Sequence, residues 1–320
     1  MFANQISAFA GWLEVEKGYS LHTVQGYRHD VTEFIAWLRA RGGAVLVSPE
    51  AIRGYVASLY AVNSATTVGR KLSALRTFFR YLCRQGILAT DPLTGISNPK
   101  AGKHIPVFLT VDEVFALLEE PDQRDPFARR DRAFLELLYS SGLRVSELVS
   151  RDLDHLDFTS GMVRVSGKGG KERLVPFGAA AAEALRGYFP ERQQVLAARA
   201  GQGKALATQA LFLNSRGGRL TSRSVERLIQ MYGTRAGITT VVTPHALRHS
   251  FATHLLEMGA DLRTVQELLG HVSLSTTQKY THLNLDHLAR VYDQAHPLAR
   301  KQGIAQAGEI FPLPEKNTKP

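Results

Sequence analysis

The stretch MVRVSGKGGKERLVPF, residues 162–177, decides the fold class of this 320-residue chain. In Met162–Ser166 and again in Glu172–Phe177 the apolar and polar side chains alternate, which is the two-residue period of a strand. Gly167-Lys168-Gly169-Gly170 lies between them and supplies a tight, glycine-rich turn, so the stretch predicts a β-hairpin. On both sides apolar residues recur at helical spacing instead. A lone hairpin among helices predicts a mainly α protein whose larger, α+β domain carries a small antiparallel sheet.

Working outward, helices are expected at roughly 110–120 and 127–141 ahead of the hairpin. Thr110 with Glu113 three residues on forms a capping pattern at the first of them. Beyond the hairpin, helices are expected at roughly 179–198, 222–236, 244–258, 261–269, 275–281 and 284–294, with a surface loop over 199–209. The first hundred residues predict four more helices: Phe2–Glu16, Leu21–Arg41, Pro49–Val62 and Ser64–Gln85. Ser20, Ser48 before Pro49, and Ser64 mark starts, while Gly18, Gly42-Gly43 and Gly86 mark ends. A Pro, Gly and Lys-rich stretch follows. The expected organisation is an all-α domain over 1–90, a linker over 91–106, a larger domain over 107–300, and a polar, disordered tail over 301–320. No internal repeat is evident.

Hydrophobic residues make up 44% of the chain and charged residues 21%, a soluble globular profile rather than a disordered one. The single cysteine, Cys83, excludes an internal disulfide, and its apolar helical setting predicts a buried, inert thiol. The N-terminus lacks a signal-peptide pattern and no apolar run reaches the ~20 residues of a membrane span, so a cytoplasmic location is expected. The net charge is +10 and the pI about 9.8. Residues 1–100 hold 11 Lys/Arg against 6 Asp/Glu, and residues 101–320 hold 28 against 23, so each part carries +5. The excess is therefore no basic tail. A polyanion is the natural partner, nucleic acid the commonest one, although many basic proteins bind none.

Between Asn63 and Ala89 stand Arg70, Lys71, Arg76, Arg80 and Arg84, with no acidic residue. On a helix Val68, Leu72, Leu75, Phe79 and Leu82 form one apolar stripe, Arg70, Arg80 and Arg84 fall on the other side, and Arg76 sits at the boundary. A plain solvated face would fit this pattern. The lack of interspersed acids, common on exposed helices, favours phosphate contacts instead. Thr23, Tyr27 and Arg28 on the preceding helix are weaker candidates. Lys171 and Arg173 beside the hairpin turn, and Ser222 and Arg223 at a helix start, complete the candidate DNA contacts.

Four segments of the larger domain bear on chemistry: Ser141-Gly142-Leu143-Arg144-Val145-Ser146-Glu147-Leu148, the Lys168 turn, His245-Ala246-Leu247-Arg248-His249, and Leu268-Leu269-Gly270-His271 followed by Tyr280. Phosphodiester transfer requires a nucleophile, charge stabilisation on the non-bridging oxygens and an acid for the leaving oxygen. Two arginines, two histidines, a lysine and a tyrosine can supply all three without a metal. Each has a plainer reading. Arg144 with Glu147 makes an ordinary intrahelical ion pair, Lys168 suits a surface turn, and His271 after Gly270 suits a helix end. His245 and Arg248 share a helix face and would equally satisfy buried carbonyls, and a lone tyrosine is usually core or surface. A zinc site at His245, His249 and His254 is disfavoured, because no HExxH is present and the lone cysteine is remote.

Taken together these segments resemble the tyrosine recombinases. Arg144, Lys168 in the hairpin, His245-x-x-Arg248, Gly270-His271 and Tyr280 nine residues on match that family's signature at all six active-site positions. Tyr139-Ser140-Ser141-Gly142-Leu143-Arg144, Gly167-Lys168-Gly169-Gly170-Lys171-Glu172-Arg173 and Gln266-Glu267-Leu268-Leu269-Gly270-His271 are especially similar to the Xer branch, and Val291-Tyr292-Asp293-Gln294-Ala295-His296-Pro297 favours its XerC type over its XerD type. The likeness covers about residues 1–300; the tail past Arg300 departs from it. The resemblance implies that Tyr280 attacks the scissile phosphate to leave a 3′-phosphotyrosyl bond, with Arg144, Arg248 and His271 holding the phosphoryl oxygens. Lys168 would protonate the departing 5′ oxygen, and His245 would assist at the nucleophile. It further implies no cofactor, neither metal nor ATP, and a two-domain clamp around double-stranded DNA at a dif-like site. The helix near Asn284–Ala295 would dock on a neighbouring subunit through Leu285, Leu288 and Val291, although packing on its own domain is the plainer view. The implied partners are an XerD-type recombinase in a heterotetramer, or further copies in a cyclic tetramer, and an FtsK-type translocase, for chromosome-dimer resolution. A mobile-element integrase, a type IB topoisomerase and a non-catalytic DNA-binding relative remain alternatives. The absence of an arm-binding domain ahead of Phe2 weighs against a phage-type integrase, and the intact Tyr and Arg set against a degenerate relative.

Overall fold

The structure, a computed structural model, describes residues 2–41, 47–99, 108–167, 172–200 and 206–270. The chain divides into two units, Met1–Ile105 and Pro106–Pro320, each with its own apolar core.

The first unit holds α1 (Ala3–Val15), α2 (Leu21–Arg39), α3 (Pro49–Tyr60) and α4 (Ala65–Arg84). The hydroxyls of Ser20, Ser48 and Ser64 accept the N–H groups of Thr23, Ala51 and Thr67 at 3.2, 3.2 and 3.4 Å. Each hydroxyl thereby satisfies a donor that the first helical turn leaves without a partner. Gly18 and Gly86 take φ of +61° and +70°, the left-handed geometry that turns the chain out of a helix. The expected stripe Val68, Leu72, Leu75, Phe79 and Leu82 is fully buried and packs in one core with Phe9, Leu13, Val31 and Phe34. Cys83 is half-buried rather than buried. Asp91 and the residues after it, expected as linker, lie on this unit as far as Pro99: the Asp91 carboxylate accepts the Leu93 N–H at 2.9 Å, and Leu93 joins the core.

The second unit opens with α5 (Val111–Glu119), where Thr110 and Glu113 cap each other reciprocally as expected. α6 (Ala128–Ser141) and the short α7 (Val145–Val149) follow. A three-stranded antiparallel sheet comes next: β1 (Leu156–Asp157), β2 (Met162–Ser166) and β3 (Glu172–Pro176), in that order. The predicted hairpin pairs Met162 with Pro176 through to Ser166 with Glu172. β1 adds a third strand that the sequence did not announce, because two residues carry no readable period. The remaining described elements are α8 (Ala179–Arg199), α9 (Ser222–Arg235), α10 (Pro244–Glu257) and α11 (Leu262–Leu269). α6 lies between α8 and α10 and buries all but three of its fourteen residues. A helix covered on both sides shows no polar face, and its tail LELLYSS is buried throughout. The expected loop over 199–209 gives way at Ala210 to buried chain, Ala210–Leu213, bridged to Asp152 and Arg219. The turn residues Lys168–Gly170, the helices expected at 275–281 and 284–294, and the 301–320 tail fall outside the described residues. No described helix is long and apolar enough to cross a membrane.

Candidate active site

α6 ends at Gly142, whose φ of +58° turns the chain toward Leu143 and Arg144. A side chain would not fit there, since a Cβ would lie 2.4 Å from the Phe251 ring and 3.1 Å from Leu269. Arg144 starts α7, and its backbone N–H donates to the Glu147 carboxylate at 2.8 Å. Its guanidinium donates to the same carboxylate at 3.0 Å while the side chain stays 43% exposed, so a cation is oriented and still open to solvent.

Arg248 stands on α10 and is buried. It donates to the carbonyls of Gly142 and Leu269, the last residues of the turn after α6 and of α11. Burial pushes its guanidinium down to about 10, the charges of Arg144 and Arg173 push the same way, and Glu147 opposes them. It remains a cation at neutral pH. His245, second residue of the same helix, is exposed one turn earlier and shares the Arg248 face. The first turn of α10 is closed by Pro244 and by Thr243, whose hydroxyl accepts the Ala246 N–H at 3.1 Å. Helix starts of this kind favour anions.

Glu147 joins these elements. It accepts both Arg173 Nη1 at 2.9 Å and Nη2 at 3.0 Å, in addition to Arg144. Burial acts to raise its carboxyl, but hydrogen bonds from Arg173 and the Arg144 backbone, together with both positive charges, hold it below the usual carboxylate range. Arg173 also donates from Nε to the Leu268 carbonyl at 3.3 Å. Arg173 was expected among the DNA contacts. In the structure its guanidinium is committed to Glu147 and Leu268, and 18% of the side chain is exposed. Arg151, unmarked in the sequence, buries its guanidinium against the carbonyls of Glu147 and Arg164 and so fixes α7 to β2.

Arg144, Arg248, Glu147 and Arg173 thus converge, with His245 one turn away. Of the other expected residues, Lys168, Lys171, His271 and Tyr280 fall outside the described residues. The described chain stops at Gly270, one residue before His271 and immediately after the carbonyl that Arg248 holds. Ser222 opens α9, and Arg223 beside it is exposed. His254, one of the three histidines weighed for zinc, is buried and hydrogen-bonded through Nδ1 to the Tyr139 hydroxyl at 2.9 Å. Among the described residues a three-ligand cluster does occur at Asp152, Asp154 and His155. There His155 Nδ1 already accepts the Asp152 N–H at 2.9 Å, and Asp152 pairs with Arg219.

In the first unit the basic face of α4 is partly neutralised by α2. Lys71, expected among the DNA contacts, is buried and its ammonium pairs with Glu33. Arg70 grips the buried Asp30 with both nitrogens while half its side chain stays exposed. Arg76 is turned onto the Ile96 carbonyl at 2.8 Å and Asn98 at 2.9 Å. Arg80 remains exposed. Thr23 closes the Ser20 cap with a 2.8 Å hydroxyl contact. Tyr27 is half-buried edge-on to Tyr19, and burial raises its hydroxyl pKa.

The described fold is thus a four-helix unit followed in sequence by an α+β unit in which Arg144 and Arg173 pair with Glu147. The phage integrase family matches residues 107–287, and the phage integrase N-terminal SAM-like domain matches residues 6–86. The chain belongs to the phage integrase family. It is 47% identical to the tyrosine recombinase XerC of Myxococcus xanthus over 92% of this chain and 98% of that protein. To the XerC of Thermodesulfovibrio yellowstonii it is 44% identical, over 92% and 97%. Its fold matches that of the XerH recombinase bound to a palindromic difH substrate, with a TM-score of 0.64 at 21% identity over 93% and 83% of the two chains.

Proposed function

We propose that this protein is a site-specific DNA recombinase that cuts and rejoins strands through a 3′-phosphotyrosyl bond to Tyr280. The observation that carries the reading is the placing of two arginines: Arg248, buried and held by the carbonyls of Gly142 and Leu269, beside Arg144, oriented by Glu147 but open to solvent. Fixed cations of that kind stabilise charge developing on phosphoryl oxygens without reorganising during the reaction. The identity to curated tyrosine recombinases over nine-tenths of the chain supports the same chemistry.

In this scheme Arg144, Arg248 and His271 hold the non-bridging oxygens. A tyrosine hydroxyl ordinarily ionises near pH 10, so the cationic surroundings, with His245 assisting proton transfer, make Tyr280 a competent nucleophile. Lys168 protonates the departing 5′ oxygen. One phosphodiester is exchanged for another of similar energy, so the step is reversible and requires neither ATP nor metal. Phosphate contacts from Arg70, Arg80 and Arg223 make binding to double-stranded DNA salt-dependent. The XerC relatives support a role in resolving chromosome dimers in the cytoplasm at a dif-like site, with an XerD-type recombinase and an FtsK-type translocase as partners. The test is a nicked duplex carrying a candidate dif-like site, incubated with wild type or Tyr280→Phe and run on a denaturing gel. An adduct with wild type alone is expected. Equal adducts from both proteins, or none from wild type even with an XerD-type partner, would overturn the reading.

A further inference from the structure

We propose that Arg173 is a positioning residue that holds the two cations and the α11 end in one geometry. The assignment rests on the recombinase reading above. Three observations carry it. The Arg173 fork binds both oxygens of Glu147 at 2.9 and 3.0 Å, and Glu147 in turn holds Arg144 by its backbone and its guanidinium. Arg173 Nε reaches the Leu268 carbonyl at 3.3 Å, one residue before the Leu269 carbonyl that Arg248 holds. Its guanidinium also lies across Gly270, where a Cβ would stand 3.3 Å from Cζ, so the absence of a side chain at Gly270 leaves the space it occupies.

One side chain on β3 therefore ties three elements: the strand that follows the Lys168 turn, the start of α7, and the end of α11 from which the chain runs to His271. Only a planar fork with a third donor makes all of these bonds. Lysine keeps the charge but not the geometry. A shift of about 1 Å in a group that orients a phosphate is enough to slow transfer by ~10²-fold.

The test compares wild type, Arg173→Lys, Arg173→Gln, Glu147→Gln and the Glu147→Gln/Arg173→Gln double variant, each as the full chain, on the nicked duplex. Covalent-adduct formation is followed under single turnover at saturating protein, and binding is measured as a function of salt. The expected result is cleavage slower by ~10-fold or more in both Arg173 variants, with affinity and salt slope unchanged. The double variant should be slowed about as much as either single one, because both remove the same tie. Circular dichroism checks folding, and if Arg173→Gln fails to fold, Arg173→Lys carries the comparison. Cleavage within about twofold of wild type in the Arg173 variants would overturn the proposal. So would weaker binding with a salt slope reduced by about one that lysine restores, since that marks a direct phosphate contact. A wild type that forms no adduct defeats the function itself and this assignment with it, which separates the two failures.

Discussion

Replacing Gly142 by alanine tests the packing that positions both arginines. The residue has φ +58°, which costs an alanine about 1–2 kcal/mol. Its new methyl would lie 2.4 and 2.7 Å from two atoms of the Phe251 ring and 3.1 Å from Leu269, in the core of the second unit. Forcing a methyl into a filled core adds roughly 1–3 kcal/mol, so the expected total is about 2–5 kcal/mol. At about 2–4 °C per kcal/mol for a unit of this size, the melting midpoint falls by roughly 4–20 °C. Gly259 is the control, with φ +89° and nothing within 4 Å, so Gly259→Ala carries the backbone cost alone. The assay is thermal unfolding of the whole chain. Both tryptophans, Trp12 and Trp37, belong to the first unit, so their fluorescence reports that unit while circular dichroism reports both. Gly142→Ala should leave the fluorescence transition in place and shift the remaining one further than Gly259→Ala does. Equal shifts from the two variants would refute the reasoning, because the Phe251 contact would then cost nothing.

Lys71, Arg80 and His254 give three further outcomes. Lys71→Ala should destabilise the first unit by about 1–3 kcal/mol, read by tryptophan fluorescence, and leave the salt slope of DNA binding unchanged, since its charge is already paired with Glu33. Arg80→Ala should do the reverse, reducing the salt slope by about one with stability nearly unaltered; the opposite pattern would contradict both placements. Burial lowers the pKa of His254, against the pull of Glu257 and of a hydrogen bond to the Leu109 backbone. The folded protein therefore resists a proton that the unfolded chain accepts. Stability should be complete above pH ~6.5 and fall as pH drops below it, by at most about 1.4 kcal/mol per pH unit for one proton. His254→Leu should flatten that slope, and an unchanged slope would show that other groups set it.

The helices of the first unit were legible because Ser20, Ser48 and Ser64 each stand where an apolar stripe begins, so capping chemistry and periodicity agree. The hairpin was legible from alternation on both sides of a glycine-rich turn. β1 was not, since two residues carry no period, and the five-residue α7 was marked only by the Arg144–Glu147 spacing. The site was read as a set of residue types at matching spacings; Arg144, His245 and Arg248 lie near the start of α10 and the end of α6, and Lys168, His271 and Tyr280 fall outside the described residues. What the sequence could not show was which charges are already spent. Arg173 and Glu147 lie 26 positions apart, and Lys71 and Glu33 lie 38 apart. α4 looked unopposed because its acids come from α2 and the end of α1. One signal was present: Asp30 falls on the buried face of α2 with Val31 and Phe34, and a carboxylate there requires a cation.

The most direct measurement is the chemical identity of the covalent bond. Adduct formed on a nicked duplex would be digested with protease and the DNA-linked peptide identified by mass spectrometry, with each strand end labelled separately. The account predicts one peptide, containing Tyr280, joined to a 3′ phosphate and accompanied by a free 5′ hydroxyl. Linkage through any other residue, or to a 5′ phosphate, would contradict it.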